Sequence, residues 1–174
     1  MSDDLQNFRA WYVAALESLY PSRDAGIATL MISLPLLERY LRQRTGLTPE
    51  QSLDDRCMDT LRTIFPEIPD ADTARSFWAV YRNGFLHQAT LSQRTRRGNA
   101  LPEGSLTHDV ELAVTVQPDG SFVLHPVLFS RRVVLAIESD FLVFAAVGTT
   151  APQLPRVVPS TLLGTSQIVL STKA

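Results

Sequence analysis

Cysteine and lysine are almost absent from this chain of 174 residues. Cys57 is the only cysteine, which excludes an internal disulfide and a zinc site built on several thiolates. Lys173 is the only lysine, and the other basic residues are arginines. A single thiol suits a reducing compartment, so we expect a cytoplasmic protein in which Cys57 is a small buried residue.

Long hydrophobic runs are missing as well. The longest apolar stretches, 27–37 and 133–137, fall short of the roughly 20 residues that span a bilayer. Residues 1–4 are acidic and polar, and we expect neither a signal peptide nor a membrane partner. The net charge is −2, so any contact with a nucleic acid must come from a local basic patch.

The remaining composition is that of one ordinary domain, with 45% apolar and 20% charged residues. Capping residues and helix breakers predict four helices in the first half. The first runs from Ser2 to about Leu19, and the second runs from Ser22 to Gly46. The second helix carries one apolar stripe at helical spacing, formed by Ile27, Leu30, Leu34, Leu37 and Leu41.

A third helix is predicted directly after Thr48, ending near Phe65. Pro49 suits the first helical position, and Gln51 suits the third position of a capping box.

Asp70 or Asp72 begins the fourth predicted helix, which carries large apolar side chains on one side. These side chains belong to Ala74, Phe77, Trp78, Tyr81 and Phe85. Their spacing indicates packing in the core or in a dimer rather than platforms for stacking bases.

The second half contains a predicted β-hairpin at about 109–125. Apolar and polar residues alternate from 110 to 116, and Pro118-Asp119-Gly120 is a strong turn signal. Pro126 should then begin the last helix, which ends at Gly148.

The predicted fold class is therefore mainly α. We expect one domain over residues 1–148, a bundle of about five helices with the small hairpin inserted before the last one. The tail, 149–174, is expected to be extended and to add at most one short strand at 167–170.

The fourth helix contains the most distinctive motif, Arg82-Asn83-Gly84-Phe85-Leu86-His87. A histidine can take a proton from a ribose 2′-hydroxyl, and the donor fork of an arginine suits a charged phosphoryl group. Asn83 can hydrogen-bond the phosphate or hold an imidazole. In an ideal α-helix Arg82 and His87 lie about 140° apart, so they act together only at a helix end or a bend near Gly84.

This motif resembles that of the HEPN family, in which an arginine, a polar residue that is often asparagine, and a histidine lie within a helical bundle. The resemblance covers roughly residues 1–147 and is most specific at 70–90. It implies that Arg82 and His87 are a catalytic pair and that two copies form a homodimer with both motifs at one groove. It further implies RNA cleavage through attack of the 2′-hydroxyl, without metal or cofactor, which commonly leaves a cyclic phosphate.

Many HEPN proteins act in prokaryotic defence or toxin–antitoxin systems, so an antitoxin is a further expected partner. The alternative function is a catalytically inactive HEPN module that binds RNA, a nucleotide or a protein. The near-neutral charge and the extra hairpin at 109–125 favour this alternative.

Structural interpretations of the same residues stay open. Arg82 can simply pair with an acidic residue, and His87 can be a favourable cation near a helix end. Glu38 and Arg42 are four residues apart, which is typical of a surface ion pair, although Glu38 can instead reach Arg82 across the bundle.

Three arginines after the motif, Arg94, Arg96 and Arg97, belong either to a solvated loop or to a patch that contacts RNA phosphates. His108 and His125 flank the predicted hairpin without a recognisable partner pattern. No set of metal ligands is predicted.

Overall fold

The computed structural model describes residues 3–85, 91, 94 and 98–146. This part of the chain is mainly helical and bundle-like, with a small three-stranded sheet placed before the last helices. The expected mainly α class is thereby confirmed.

Along the chain, the described helices form one group before the sheet and another after it. Before the sheet lie α1 (Asp3–Phe8), α2 (Ala14–Leu19), α3 (Gly26–Thr45), α4 (Asp55–Ile64) and α5 (Ala71–Trp78). Two π-helical turns, Arg9–Val13 and Ala79–Asn83, follow α1 and α5, and a 3₁₀ turn, Arg23–Ala25, precedes α3. After the sheet lie α6 (Pro126–Ser139) and α7 (Phe141–Ala145). Among the described helices, none combines the length and apolarity that crossing a membrane requires.

Several predicted helix ends are confirmed by local geometry. Helical backbone extends from Asp3 to Leu19, and Gly46 ends α3 in the left-handed conformation with φ of 73°. Asp70 caps α5, because its carboxylate accepts a hydrogen bond of 2.7 Å from the Thr73 N–H.

The predicted start of the third helix is wrong. The Gln51 side chain does accept from the Thr48 N–H at 2.8 Å, but this bond closes a separate turn. The helix begins later, where Asp54 accepts from the Cys57 N–H at 3.2 Å. Arg42 donates to the carbonyls of Thr48 and Gln51, which holds the segment as a turn.

The core is built around α3, which packs along α6. Four predicted stripe residues of α3 are fully buried: Leu30, Leu34, Leu37 and Leu41. Ile27 was expected in the same stripe, but it is 45% exposed. Gly26 occupies the buried position one turn before Leu30, because a Cβ there would lie only 3.0 Å from Cγ of Pro126.

Aromatic side chains of α5 and the turn after it complete this core. Phe77 contacts the rings of Tyr81, Phe122 and Phe129, and Trp78 and Phe85 are also buried. These residues therefore pack in the interior of the chain, as their spacing predicts.

The sheet has the order β1-β3-β2, with β1 (Gly104–Leu106) parallel to β3 (Phe122–Leu124). The antiparallel pair of β3 with β2 (Val114–Val116) confirms the predicted hairpin, and Gly120 has the positive φ of 83° that its turn needs.

Two features of the sheet differ from the prediction. Strand β1 lies in a segment for which the sequence predicts no strand, and it is held by pairing with β3 and by the Tyr81 hydroxyl, which donates to the Ser105 carbonyl at 2.9 Å. The alternating pattern also predicts a longer β2 than the structure has. Before Val114 the pattern fails, since Leu112 is exposed and Ala113 is buried.

The last helix is interrupted, contrary to the prediction. The backbone leaves helical geometry at Asp140, with φ of −131° and ψ of 39°, and α7 begins at the next residue. The Asp140 carboxylate is paired with Arg44 and accepts from the Tyr40 hydroxyl at 3.3 Å. Gly148, the tail and the predicted strand at 167–170 lie outside the described residues.

Candidate functional site

Arg82 lies in the π-helical turn after α5 and forms a two-point ion pair with Glu38 of α3. Its Nε donates to Oε2 at 2.8 Å, and its Nη2 donates to Oε1 at 3.1 Å. The two side chains are 21% and 14% exposed. This fork-on-carboxylate geometry fixes the plane of the guanidinium, which a single contact would not do.

Glu38 also binds Arg42, one helical turn further along α3. Arg42 Nε and Nη2 donate to Oε1 at 3.0 and 2.8 Å, and this side chain is as well buried as Glu38. The expected pair therefore forms, but it is not the ordinary surface pair that the spacing suggests. Glu38 is the shared acceptor of two guanidiniums.

The charge state of this cluster follows from its contacts. Burial opposes ionisation of Glu38, but the hydrogen bonds and positive charges of Arg82 and Arg42 outweigh it, so the pKa of Glu38 lies below its ordinary value. One carboxylate thus faces two arginines, and the cluster keeps one net positive charge at neutral pH.

Asn83 lies beside Arg82 and completes its orientation. The Asn83 Oδ1 accepts from Arg82 Nη1 at 3.1 Å. Every nitrogen of the Arg82 guanidinium therefore has a hydrogen bond within the described chain. The structure brings these two motif residues together, whereas His87 lies outside the described residues.

The helix departs from α geometry at this motif. Residues Ala79–Asn83 form a π-helical turn, in which the hydrogen bonds close over five residues rather than four. The sequence indicates that Arg82 and His87 need a helix end or a bend near Gly84 to act together, but the residue types give no signal for this wider turn.

A pocket of about 380 Å³ opens next to the cluster. Its apolar lining includes Leu53, Met58 and Trp78. Its polar lining consists of Glu38, Arg42, Glu50, Gln51, Ser52, Arg75, Arg82 and Asn83. Arg75 is itself paired with Asp55 and Asp72. The pocket therefore offers arginines whose charges are largely balanced by neighbouring carboxylates.

One structural role was missed by sequence reasoning. Arg42 Nη1 donates to the carbonyls of Thr48 at 2.8 Å and Gln51 at 2.7 Å, which fastens the 48–51 turn beside Glu38. The only signal was Gly46, whose left-handed backbone turns the chain back toward the end of α3.

Of the three arginines after the motif, only Arg94 lies among the described residues. Arg94 is exposed, its backbone bridges to Ala100, and its Nη1 donates to the Gly98 carbonyl at 3.0 Å. Arg96 and Arg97 lie outside the described residues.

Neither metal ligands among the described residues nor similarity to known proteins indicates the function of this site. Among the described residues, no three or more His, Cys, Asp or Glu side chains are grouped to hold a metal ion. No protein-family model, curated protein or solved structure matches this chain.

Proposed function

We propose that this chain is a HEPN-type, metal-independent endoribonuclease that acts as a homodimer in a prokaryotic defence or toxin–antitoxin system. Arg82 and His87 form its catalytic pair, and Asn83 positions Arg82. The observation that carries the proposal is the two-point pairing of Arg82 with Glu38 beside the polar pocket.

In the proposed reaction, His87 takes the proton of a ribose 2′-hydroxyl. The freed oxygen attacks the adjacent phosphorus, and the bond from phosphorus to the 5′-oxygen breaks. The 5′-oxygen then receives a proton from the His87 imidazolium that the first step produced. The products are a 2′,3′-cyclic phosphate and a 5′-hydroxyl. Arg82 stabilises the additional negative charge on the phosphoryl oxygens.

The held guanidinium supports this role. A flexible arginine loses side-chain entropy when it binds a phosphate, whereas Arg82 is already oriented by Glu38 and Asn83. The held guanidinium keeps its positive charge, which favours direct contact with a phosphodiester.

The π-helical turn is a second supporting observation. Arg82 and His87 would lie about 140° apart on an uninterrupted α-helix. The turn at Ala79–Asn83 contains an additional residue, and such bulges are frequent at functional sites.

The test is cleavage of defined RNAs by the purified full chain with a chelator present. We expect His87→Ala and Arg82→Lys each to slow cleavage by roughly 10²-fold or more, which is typical for loss of an acid–base or charge-stabilising group. Arg44→Ala is the matched control, because Arg44 is an exposed arginine of α3 that pairs with Asp140 instead. Cleavage that is equal in all four proteins, or absent from the wild type, contradicts the proposal.

A catalytically inactive HEPN module is the second candidate, and the same ion pair favours it. Glu38 occupies Nε and Nη2 of Arg82, which commits most of the guanidinium to an internal contact. The chain then binds RNA, a nucleotide or a protein partner such as an antitoxin. Arg94, Arg96 and Arg97 are the proposed contacts to RNA in either case.

The two candidates differ in what mutation of the hairpin region does. Leu112 is a large exposed apolar residue just before β2. For the binding module, Leu112→Glu weakens self-association or partner binding more than Arg82→Lys does, as measured by light scattering after size-exclusion chromatography. A chain that stays monomeric and retains no partner in pull-down experiments contradicts this second function.

A further inference from the structure

Two histidines meet where the sheet joins the last long helix. His125 directly follows β3 and is the N-cap of α6, and its Nδ1 accepts from the Leu128 N–H at 3.3 Å. The first helical residue is Pro126, which has no N–H to donate. The side chain of His125 therefore satisfies one of the few N–H groups that this helix start exposes.

His108 lies against this cap. Its ring centroid is 5.1 Å from that of His125, with the planes 68° apart. The Thr107 N–H, one residue earlier, donates to the Leu124 carbonyl at 3.1 Å, so each histidine follows a strand of the same paired sheet. A Cβ on Gly26 would lie 3.7 Å from His108 Nε2, which places the start of α3 at the same junction.

The charged side chains that act on His125 come from α6 and from the loop after β1. Arg131 comes from α6 itself and lies over the ring of Tyr20, which follows α2. Asp109 comes from the loop after β1, and its carboxylate is paired with Arg23 of the 3₁₀ turn before α3. A backbone hydrogen bond at His125 and, among the described charged side chains, Asp109 favour a positive charge on this imidazole, and the charge of Asp109 is itself balanced by Arg23.

We infer that the His108–His125 pair is an acid-sensitive latch between the sheet and the helical bundle. The neutral His125 imidazole accepts the Leu128 N–H and caps α6. Protonation turns Nδ1 into a donor, which cannot accept that hydrogen bond, and it places a positive charge beside His108 and Arg131. The first turn of α6 then separates from the end of β3.

The direction of the effect follows from burial and charge. Burial, then His108, and to a smaller extent Arg131 lower the pKa of His125 below its ordinary value of 6.5. The closed latch therefore favours the neutral imidazole of His125 over the protonated one. Its stabilising contribution is complete above about pH 6.5, and it is lost as the pH falls through 6.5 toward the lower pKa of the closed form.

The test is amide hydrogen exchange of the full chain at pH 7.5 and 5.5, corrected for intrinsic exchange rates and read at Leu128. In the wild type we expect protection to drop several-fold and by at most roughly tenfold, which is the ratio of protonated to neutral imidazole that the ordinary pKa of 6.5 gives the open form at pH 5.5. His125→Asn is the matched variant, because asparagine is a good N-cap that does not titrate in this range. Its protection at Leu128 should stay constant between the two pH values.

A second measurement does not depend on the variant folding. The imidazole resonances of wild-type His125 should titrate with a midpoint below 6.5 by nuclear magnetic resonance, and His108→Gln should raise that midpoint. Equal loss of protection in the wild type and His125→Asn, or a midpoint of 6.5 or higher, overturns the inference.

Discussion

Glu38 and Arg82 are 44 residues apart in the chain and form a two-point ion pair that is mostly shielded from water. The pair joins the middle of α3 to the π-helical turn after α5. Because Glu38 also accepts from Arg42, which fastens the 48–51 turn, one carboxylate organises three segments around the pocket. Four predictions follow from these contacts and from the packing of β1.

Glu38→Gln should lower the free energy of unfolding by about 2 kcal/mol, because a neutral amide cannot accept from two guanidiniums as the carboxylate does. Chemical denaturation with urea measures this change. The control is Asp59→Asn, which removes a surface partner of Arg62 and should cost no more than about 0.5 kcal/mol. Equal losses of unfolding free energy in the two variants would show that Glu38 contributes no more to stability than a surface ion pair does.

The stabilisation by Glu38 should depend on pH. Its folded-state pKa lies below the ordinary value of 4.5, so its contribution is complete above pH 4.5 and is lost as the pH falls through the folded pKa. The difference in unfolding free energy between the wild type and Glu38→Gln should therefore shrink between pH 6 and pH 3. A difference that stays constant over this range would contradict the assignment.

Arg42→Lys should loosen the 48–51 turn. A lysine keeps the charge but lacks the fork that binds Glu38 and the carbonyls of Thr48 and Gln51 together. We expect faster amide exchange and proteolysis in this segment, with helix α6 unaffected. Arg44→Lys is the matched control, because Arg44 makes a more exposed pair with Asp140 and should leave the turn unchanged.

Gly104→Ala should destabilise the attachment of β1. A Cβ at this position would lie 2.7 Å from Cγ1 of Val80 and 3.3 Å from the Tyr81 hydroxyl, and we expect a cost of about 1–3 kcal/mol. The additional substitution Val80→Ala removes the closest atom. In urea unfolding the double variant should lose less stability than the sum of the two single changes, whereas simple additivity would argue against the clash.

The sequence by itself determined the features that depend on neighbouring residues. Gly46 ends α3, Asp70 begins α5, Pro126 begins α6, and Gly120 lies in the turn of the hairpin. Each of these depends on backbone conformations or hydrogen bonds within about four residues, which the local residue types specify.

Local signals failed where a tertiary contact competed with them. The hydrogen bond of the predicted capping box does form between Gln51 and the Thr48 N–H. Arg42 nevertheless donates to the carbonyls of this segment, and α4 begins only after its N-cap, Asp54. Strand β1 has no apolar alternation of its own. It forms because β3 and the Tyr81 hydroxyl satisfy its backbone.

Only the tertiary structure decided the surroundings of the motif. The residue types at Arg82 and Asn83 suggest a phosphodiester site, and spacing alone left Glu38 with two possible partners. The spacing within α3 brings Arg42 to Glu38, whereas packing of α3 against the turn after α5 brings Arg82 to the same carboxylate. Such pairing depends on how distant elements meet, and no interval of residues along one helix encodes it.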